Sequence, residues 1–374
     1  MNTKKFTAVS KLCQCLSGAL GQSLSPSDLP KSEDQWASVL RRSGDHLVTP
    51  ILRWALQEQE GMYDTLPPSV IDYLEAVYAL NLEKNLCCQE QLSEMTSALN
   101  DLGVTPVLLK GAAMLVSGLY PTAGERMITD LDILIPEKRL SEVLAKMQAS
   151  GYQSIEGKID LAEVALKALS HKHHYPALVH RDWPVSIELH VQPVVMRYQR
   201  LLCCEDVLSS ANKTVLPGGE CLLPDPTIMI MHSVIHAFLF DTMDCMRMLS
   251  LRQLFEFILL AQKYSAAVDW DMIKERFENM GYESSLQQYL HVATNCFEFD
   301  TAVAPPWGLN NTIKTRPYLD LMRLRQENPS AIWATTLVYE LIARSKRLIR
   351  EPKKIRRLVD PDFYAKLGDV IWRK

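Results

Sequence analysis

Apolar positions repeat with a helical period over most of the first hundred residues. Trp36, Val39 and Leu40, then Leu47, Ile51, Leu52 and Leu56, fall three and four apart, the spacing of one buried helix face. Leu66-Pro67-Pro68-Ser69 breaks that pattern. A long run over 70–102 resumes it, with Ile71, Leu74, Val77, Tyr78 and Leu80, then Leu92, Met95, Leu99 and Leu102. Gly103 is placed to close this helix as a left-handed C-terminal cap. The texture then changes. The apolar run 104–109 predicts a buried strand that delivers into Lys110-Gly111, and 112–119 predicts a short helix. A second strand is predicted over 129–135, ended by Pro136, and a helix over 137–150, closed by Gly151. Two further strands, 175–180 and 185–191, flank the turn Arg181-Asp182-Trp183-Pro184. Pro224-Asp225-Pro226-Thr227 starts a second helical region, strongest over 228–240 and 249–264 and continuing with loops to the end. The predicted fold class is α+β. A small mixed sheet unit, residues 103–217, stands between an N-terminal helical region, 1–102, and a C-terminal helical domain, 218–374.

Composition changes this picture little. The 374 residues are 47% hydrophobic and 22% charged, an ordinary globular balance with enough chain for two or three modules and a large core. A net charge of −4 excludes bulk electrostatic attraction to nucleic acid. The nine cysteines form no CxxC pair, and free thiols in a reducing cytoplasm are expected. The basic start, Lys4-Lys5, is followed by Lys11, Cys13, Gln14 and Cys15 rather than by the apolar segment of a secretion signal. No run approaches the roughly eighteen uncharged apolar residues of a membrane span.

The sharpest chemistry lies in Asp130-Leu131-Asp132-Ile133-Leu134-Ile135. Alternation along a strand puts Asp130 and Asp132 on one face and Leu131 and Ile133 on the other. Paired carboxylates repel unless a cation lies between them, and Mg²⁺ seeks such hard oxygen ligands together with substrate phosphates. In Ile187-Glu188-Leu189-His190, Glu188 and His190 share a face. If that strand lies beside the first, three carboxylates converge, and Glu188 is placed to accept a proton from an attacking hydroxyl. His190 could orient Glu188, contact a phosphate or simply pack. Lys110-Gly111-Ala112 opens a helix after a strand, where small residues admit a phosphate to backbone N–H groups and Lys110 adds positive charge. It is not a P-loop, since the GxxxxGK[ST] spacing is missing. Arg126 sits in the loop before Asp130, placed for a phosphate or a carboxylate.

Three other features carry less. His232 and His236 share a helix face but lack the Glu of HExxH and a third zinc ligand. His171, His173 and His174 cluster before a strand. The segment 344–357 is strongly basic, which suits a solvated face, RNA, polyphosphate or an anionic membrane surface. Sparse aromatic residues there argue against stacking on single-stranded nucleic acid.

Together, Val107-Leu108-Leu109-Lys110-Gly111, Arg126, the Asp130–Asp132 strand and Glu188-Leu189-His190 resemble the uncharacterised bacterial nucleotidyltransferases of the DNA-polymerase-β superfamily. The resemblance covers about residues 35–265, from Leu66-Pro67-Pro68 and Tyr78 through Asn85 to His232 and His236. It implies a polymerase-β-type fold, an NTP substrate and Mg²⁺ or Mn²⁺. Asp130, Asp132 and Glu188 would be the catalytic and metal-binding residues. Lys110, Gly111, Ala112, Arg126 and His190 would be the nucleotide-binding ones. The superfamily's usual Gly-Ser pair is replaced here by Lys110-Gly111-Ala112, which leaves open how a triphosphate is held. The implied reaction moves a nucleoside monophosphate to a small molecule, peptide or protein, with nucleic acid less favoured as acceptor. The alternative is a catalytically silent nucleotide-binding or scaffold protein of the same fold.

Overall fold

The computed structural model describes residues 8–156, 173–240 and 250–298. Helices α1 (Ala8–Leu16), α2 (Glu33–Asp45) and α3 (Thr49–Gln57) pack together at the N-terminal end. Ser32 caps α2 by accepting a hydrogen bond from the Gln35 amide, which satisfies one of the orphan donors of a helix start. The proline break resolves into the start of α4 (Pro68–Asp101), with Pro68 at the first helical position, where its missing N–H costs nothing. Gly103 ends this helix as the sequence predicts. Its φ is +70°, and the amides of Gly103 and Val104 return to the carbonyls of Asn100 and Leu99, a left-handed closure that glycine adopts without strain.

Seven strands form one mixed sheet among the described residues, in the order β3-β4-β5-β2-β1-β7-β6. They are β1 (Val107–Leu109), β2 (Asp130–Leu134), β3 (Gln153–Ser154), β4 (Leu178–Val179), β5 (Ser186–His190), β6 (Asn212–Leu216) and β7 (Gly219–Leu223). The centre is antiparallel between β1 and β2 and parallel between β2 and β5. Its strands are almost wholly buried, which explains why they read as continuous apolar runs rather than as alternation. The α+β class is therefore correct. Helices α5 (Lys110–Val116) and α6 (Leu140–Ala149) connect the first strands, and α7 (Cys204–Ser210) precedes the last hairpin.

Some elements differ from the sequence prediction, each for a physical reason. β1 is shorter because Pro106 has no amide to give the ladder; its carbonyl accepts from Leu222 instead. The helix expected over 228–240 is α8 (Pro226–Val234), continued as a π-helical turn over Ile235–Phe240. The β6–β7 hairpin was not anticipated. It closes against the end of α4, where the Asn100 side chain exchanges two hydrogen bonds with the Glu220 backbone. Helices α9 (Leu251–Lys263), α10 (Trp270–Asn279) and α11 (Glu283–Phe297) follow. His171 and the basic segment 344–357 lie outside the described residues. No helix among the described residues is long and apolar enough to cross a membrane.

One long-range contact ties the two helical ends together and makes a pH prediction. His46, 4% exposed, accepts the Leu251 amide at Nδ1, 3.3 Å away, at the start of α9. Burial holds its imidazole down, from the ordinary 6.5 to about 4, so the folded protein keeps it neutral. The unfolded chain takes up this proton first, so the His46 contribution is complete above about pH 6.5 and is lost as pH falls toward 4. On the linkage relation the loss is on the order of 3 kcal/mol. Urea melts across that window are expected to show it, and a His46→Gln variant should flatten that part of the slope.

Candidate functional site

The site is built where β1 turns into α5. Lys110 takes φ +43°, a left-handed conformation that costs a non-glycine residue about 1–2 kcal/mol. The turn brings the Lys110 ammonium to Asp132, 2.8 Å from Nζ to Oδ1. On β2, Asp130 and Asp132 share a face, and the parallel register sets Asp132 directly beside Glu188 on β5. His190, wholly buried, donates through Nε2 to the same Asp132 Oδ1 at 2.8 Å and lies 3.7 Å from Glu188 Oε2. Among the described residues, Asp132 Oδ2 takes no protein hydrogen bond. Ligand atoms of Asp132, Glu188 and His190 all lie within 4.8 Å of one another. Asp130 is outside that tight group, holding a hydrogen bond from the Thr129 hydroxyl, but it lines the same cavity.

The electrostatics follow from this crowding. Burial raises the Asp130 carboxyl, and the Asp132 charge adds to the rise. Burial would raise Asp132 too, but Lys110 and His190 outweigh it and hold that carboxyl well below the usual range. Contact with His190 lowers Glu188 against the opposing effect of burial. Burial works to discharge His190 and Lys110, yet their carboxylate neighbours win, and both are raised.

These groups open on a cavity of about 410 Å³. Further lining comes from α8, the π-helical turn after it and α9, through Met229, His232, His236, Arg252, Gln253 and Glu256. Arg126 enters from the loop before β2. Its guanidinium is buried against Glu256, with Nε 2.5 Å from Oε1 and Nη2 3.4 Å from Oε2, and the Tyr120 hydroxyl adds a third contact to Glu256. Gly111 is needed for this approach, because a Cβ there would meet Arg126 Nη1 at 2.7 Å. Ala112 is fully buried behind it.

All eight residues singled out in the sequence therefore gather within one region, and six of them, Lys110, Gly111, Arg126, Asp130, Asp132 and Glu188, line the cavity itself. Of the histidines noted in the sequence, His173, His174, His232 and His236 line it as well. The sequence reading missed Glu256, Arg252 and a clamp on the loop. Asn81 and Asn85 of α4 both donate to the Arg126 carbonyl and also to those of Gly124 and Ala123. A lone Glu inside Leu254-Phe255-Glu256-Phe257-Ile258, and two asparagines four apart on a helix, were the available signals.

A family model described as an uncharacterised nucleotidyltransferase matches residues 32–298. The chain belongs to that family. Among solved structures it is similar to an antigenic nucleotidyltransferase-like protein from Paracoccidioides brasiliensis. That match has 14% identity and a TM-score of 0.34, over 58% of this chain and 95% of that one. No curated protein matches it.

A divalent metal fits the donor set of this nucleotidyltransferase-family chain. Asp130, Asp132 and Glu188 line the cavity beside the Lys110 ammonium, while a fourth lining carboxylate, Glu256, is committed to Arg126. Among the described residues Asp132 keeps an oxygen that no protein donor uses, and Asp130 is held by the Thr129 hydroxyl rather than by an ion pair. Hard oxygen donors of this kind suit Mg²⁺ or Mn²⁺.

Proposed function

We propose that the chain is a metal-dependent nucleotidyltransferase with a polymerase-β-type core. It would move a nucleoside monophosphate from an NTP to a hydroxyl or phosphate of an acceptor and release pyrophosphate. The observation that carries this reading is the parallel pairing of Asp132 with Glu188, with Asp130 one step along the same face. Family membership supports it. On this reading the core reaches past the expected boundary at 217, since β7 (Gly219–Leu223) pairs with β1, and α8 and α9 of the following helical region complete the cavity.

Asp130, Asp132 and Glu188 would hold the metal, which supplies Lewis-acid polarisation of a phosphoryl oxygen and neutralises its charge. The acceptor oxygen attacks the α-phosphorus. A new O–P bond forms, the bond to pyrophosphate breaks, and the departing proton passes to a Glu188 carboxylate oxygen. Lys110 and His190 fix the Asp132 carboxylate from one side, so its free oxygen is presented in a single orientation. Arg126, oriented by Glu256, faces the developing phosphate charge. The acceptors that fit by chemistry are small molecules, peptides or proteins rather than nucleic acid, given the net charge of −4.

A second reading rests on the same Asp132 contacts. Lys110 already neutralises this carboxylate at 2.8 Å, so the site could bind a nucleotide without turning it over. The two readings separate in one assay. The purified chain, each NTP radiolabelled at the α-phosphate, Mg²⁺ or Mn²⁺ and cell extract are incubated together. Label is expected to move to an acceptor, and to stay on the NTP when Asp130 and Asp132 are both alanine. NTP binding with no label transfer would favour the silent reading; absence of both would sink nucleotide chemistry here.

A further inference from the structure

Two buried polar atoms among the cavity-lining residues have no hydrogen-bond partner, and they are of opposite kinds. His232 on α8 is 5% exposed, and its Nε2 is buried without a partner. Its ring is anchored from the other side, by the carbonyl of Pro193. Nδ1 must therefore carry the proton that this carbonyl accepts, and Nε2 is left with a bare lone pair. Burial first, then the nearby Lys110 charge, brings this imidazole down to about 3, so the ring is neutral at physiological pH and Nε2 stays an acceptor. Arg252 on α9 is the counterpart. Nη1 donates to the Met127 carbonyl at 2.7 Å, while Nε is buried without a partner. No carboxylate among the described residues forms an ion pair with Arg252. Burial and repulsion from Arg126 both disfavour its charge, while the nearby Glu256 carboxylate is held in an ion pair by Arg126.

A buried acceptor left unpaired destabilises the fold, and a charged donor does so more. A ligand that supplies both partners recovers those costs. The bare imidazole nitrogen repels phosphate and carboxylate oxygens and takes a neutral O–H donor. The surplus guanidinium does the reverse and takes an anion.

We propose that these two atoms set the direction of the bound ligand, His232 Nε2 receiving a hydroxyl and Arg252 a phosphate oxygen. The inference rests on the nucleotidyltransferase reading, and it adds polarity to the cavity. The hydroxyl end lies toward α8, and the phosphate chain runs past α9 beside Arg126. The hydroxyl belongs to the ribose of the nucleotide or to the acceptor, and the test separates these sources.

The full chain is titrated calorimetrically, with Mg²⁺, against ATP, 2′-deoxy-ATP, 3′-deoxy-ATP and inorganic tripolyphosphate. If the ribose is the source, one deoxy analogue binds about five- to tenfold more weakly than ATP, the scale of one hydrogen bond to a buried acceptor. His232→Phe should erase that difference while leaving tripolyphosphate affinity unchanged, and His232→Gln, which keeps an acceptor, should retain part of it. Arg252→Gln should weaken ATP and tripolyphosphate by the same factor. If the acceptor is the source, all three nucleotides bind alike, and His232→Phe instead raises KM for the acceptor in the label-transfer assay. Unchanged discrimination and unchanged KM in His232→Phe, or unchanged tripolyphosphate affinity in Arg252→Gln, overturns the assignment while nucleotide binding stands. No binding of any nucleotide by the wild-type chain overturns the nucleotidyltransferase reading, and this inference with it.

Discussion

Asp132→Ala is expected to reduce nucleotidyl transfer by on the order of a thousandfold or more, the scale on which loss of transition-state charge stabilisation is felt. The reason lies in how many groups converge on that carboxylate. Asp132 is 2% exposed, faces Glu188 across the parallel ladder and receives both Lys110 and His190 on one oxygen. Its removal subtracts a proposed metal ligand and also frees the Lys110 and His190 donors next to the remaining carboxylates. The alanine variant therefore confounds chemistry with local collapse. Asp132→Asn keeps the shape and an acceptor oxygen for Lys110 or His190, while removing the charge. Single-turnover transfer with Mg²⁺ should fall nearly as far in this variant. Its urea midpoint should stay closer to wild type than that of the alanine variant. Transfer retained within tenfold by Asp132→Asn would remove Asp132 from the proposed metal site.

The second large effect is on stability. Glu256→Ala is expected to cost about 3–5 kcal/mol, because it leaves the Arg126 guanidinium buried and uncompensated. Glu256 accepts from Arg126 twice and from Tyr120 once, and both charged side chains are under a tenth exposed. The Arg126→Met, Glu256→Leu double variant replaces the pair with apolar volume and should recover much of the lost stability, since burying two charges carries its own desolvation cost. Denaturant midpoints for the two singles and the double decide this. The double should nonetheless fail to bind tripolyphosphate tightly if Arg126 faces the phosphate chain as proposed. A Glu256→Ala variant as stable as wild type would show that Arg126 finds other compensation.

Local signals in the sequence were decisive wherever a residue acts through its neighbours. The period-two spacing of Asp130 and Asp132 follows from strand geometry alone, and Pro68 and Gly103 bound α4 through backbone constraints that each residue carries with it. The β6–β7 hairpin had a signal too, alternating Lys213, Thr214, Val215 and Leu216 before Pro217-Gly218-Gly219, and it was passed over. Arg126 shows the other case. The sequence placed it near a phosphate or a carboxylate, but its carboxylate partner, Glu256, lies 130 residues away, a pairing that no local pattern encodes. The same holds for Lys110. A lysine beside a glycine turn reads as a phosphate ligand, whereas the tertiary fold commits it to Asp132. Gly111 likewise makes room for an arginine of this chain.

Helix α4 also has a history in time. Its polar side chains wait for partners made much later: Asn85 for the Arg126 carbonyl, Gln91 for that of Val185, 94 residues on, and Asn100 for Glu220, 120 residues on. At about 5–20 residues per second of synthesis, the end of α4 leaves the ribosome on the order of ten seconds before its hairpin exists. A helix of 34 residues is long enough to form early and to meet α3, made before it, yet the part of its face that β7 will cover stays bare during that interval. The nascent chain thus passes through a stage in which a finished rod awaits its sheet, the stage at which a chaperone would find the most to hold.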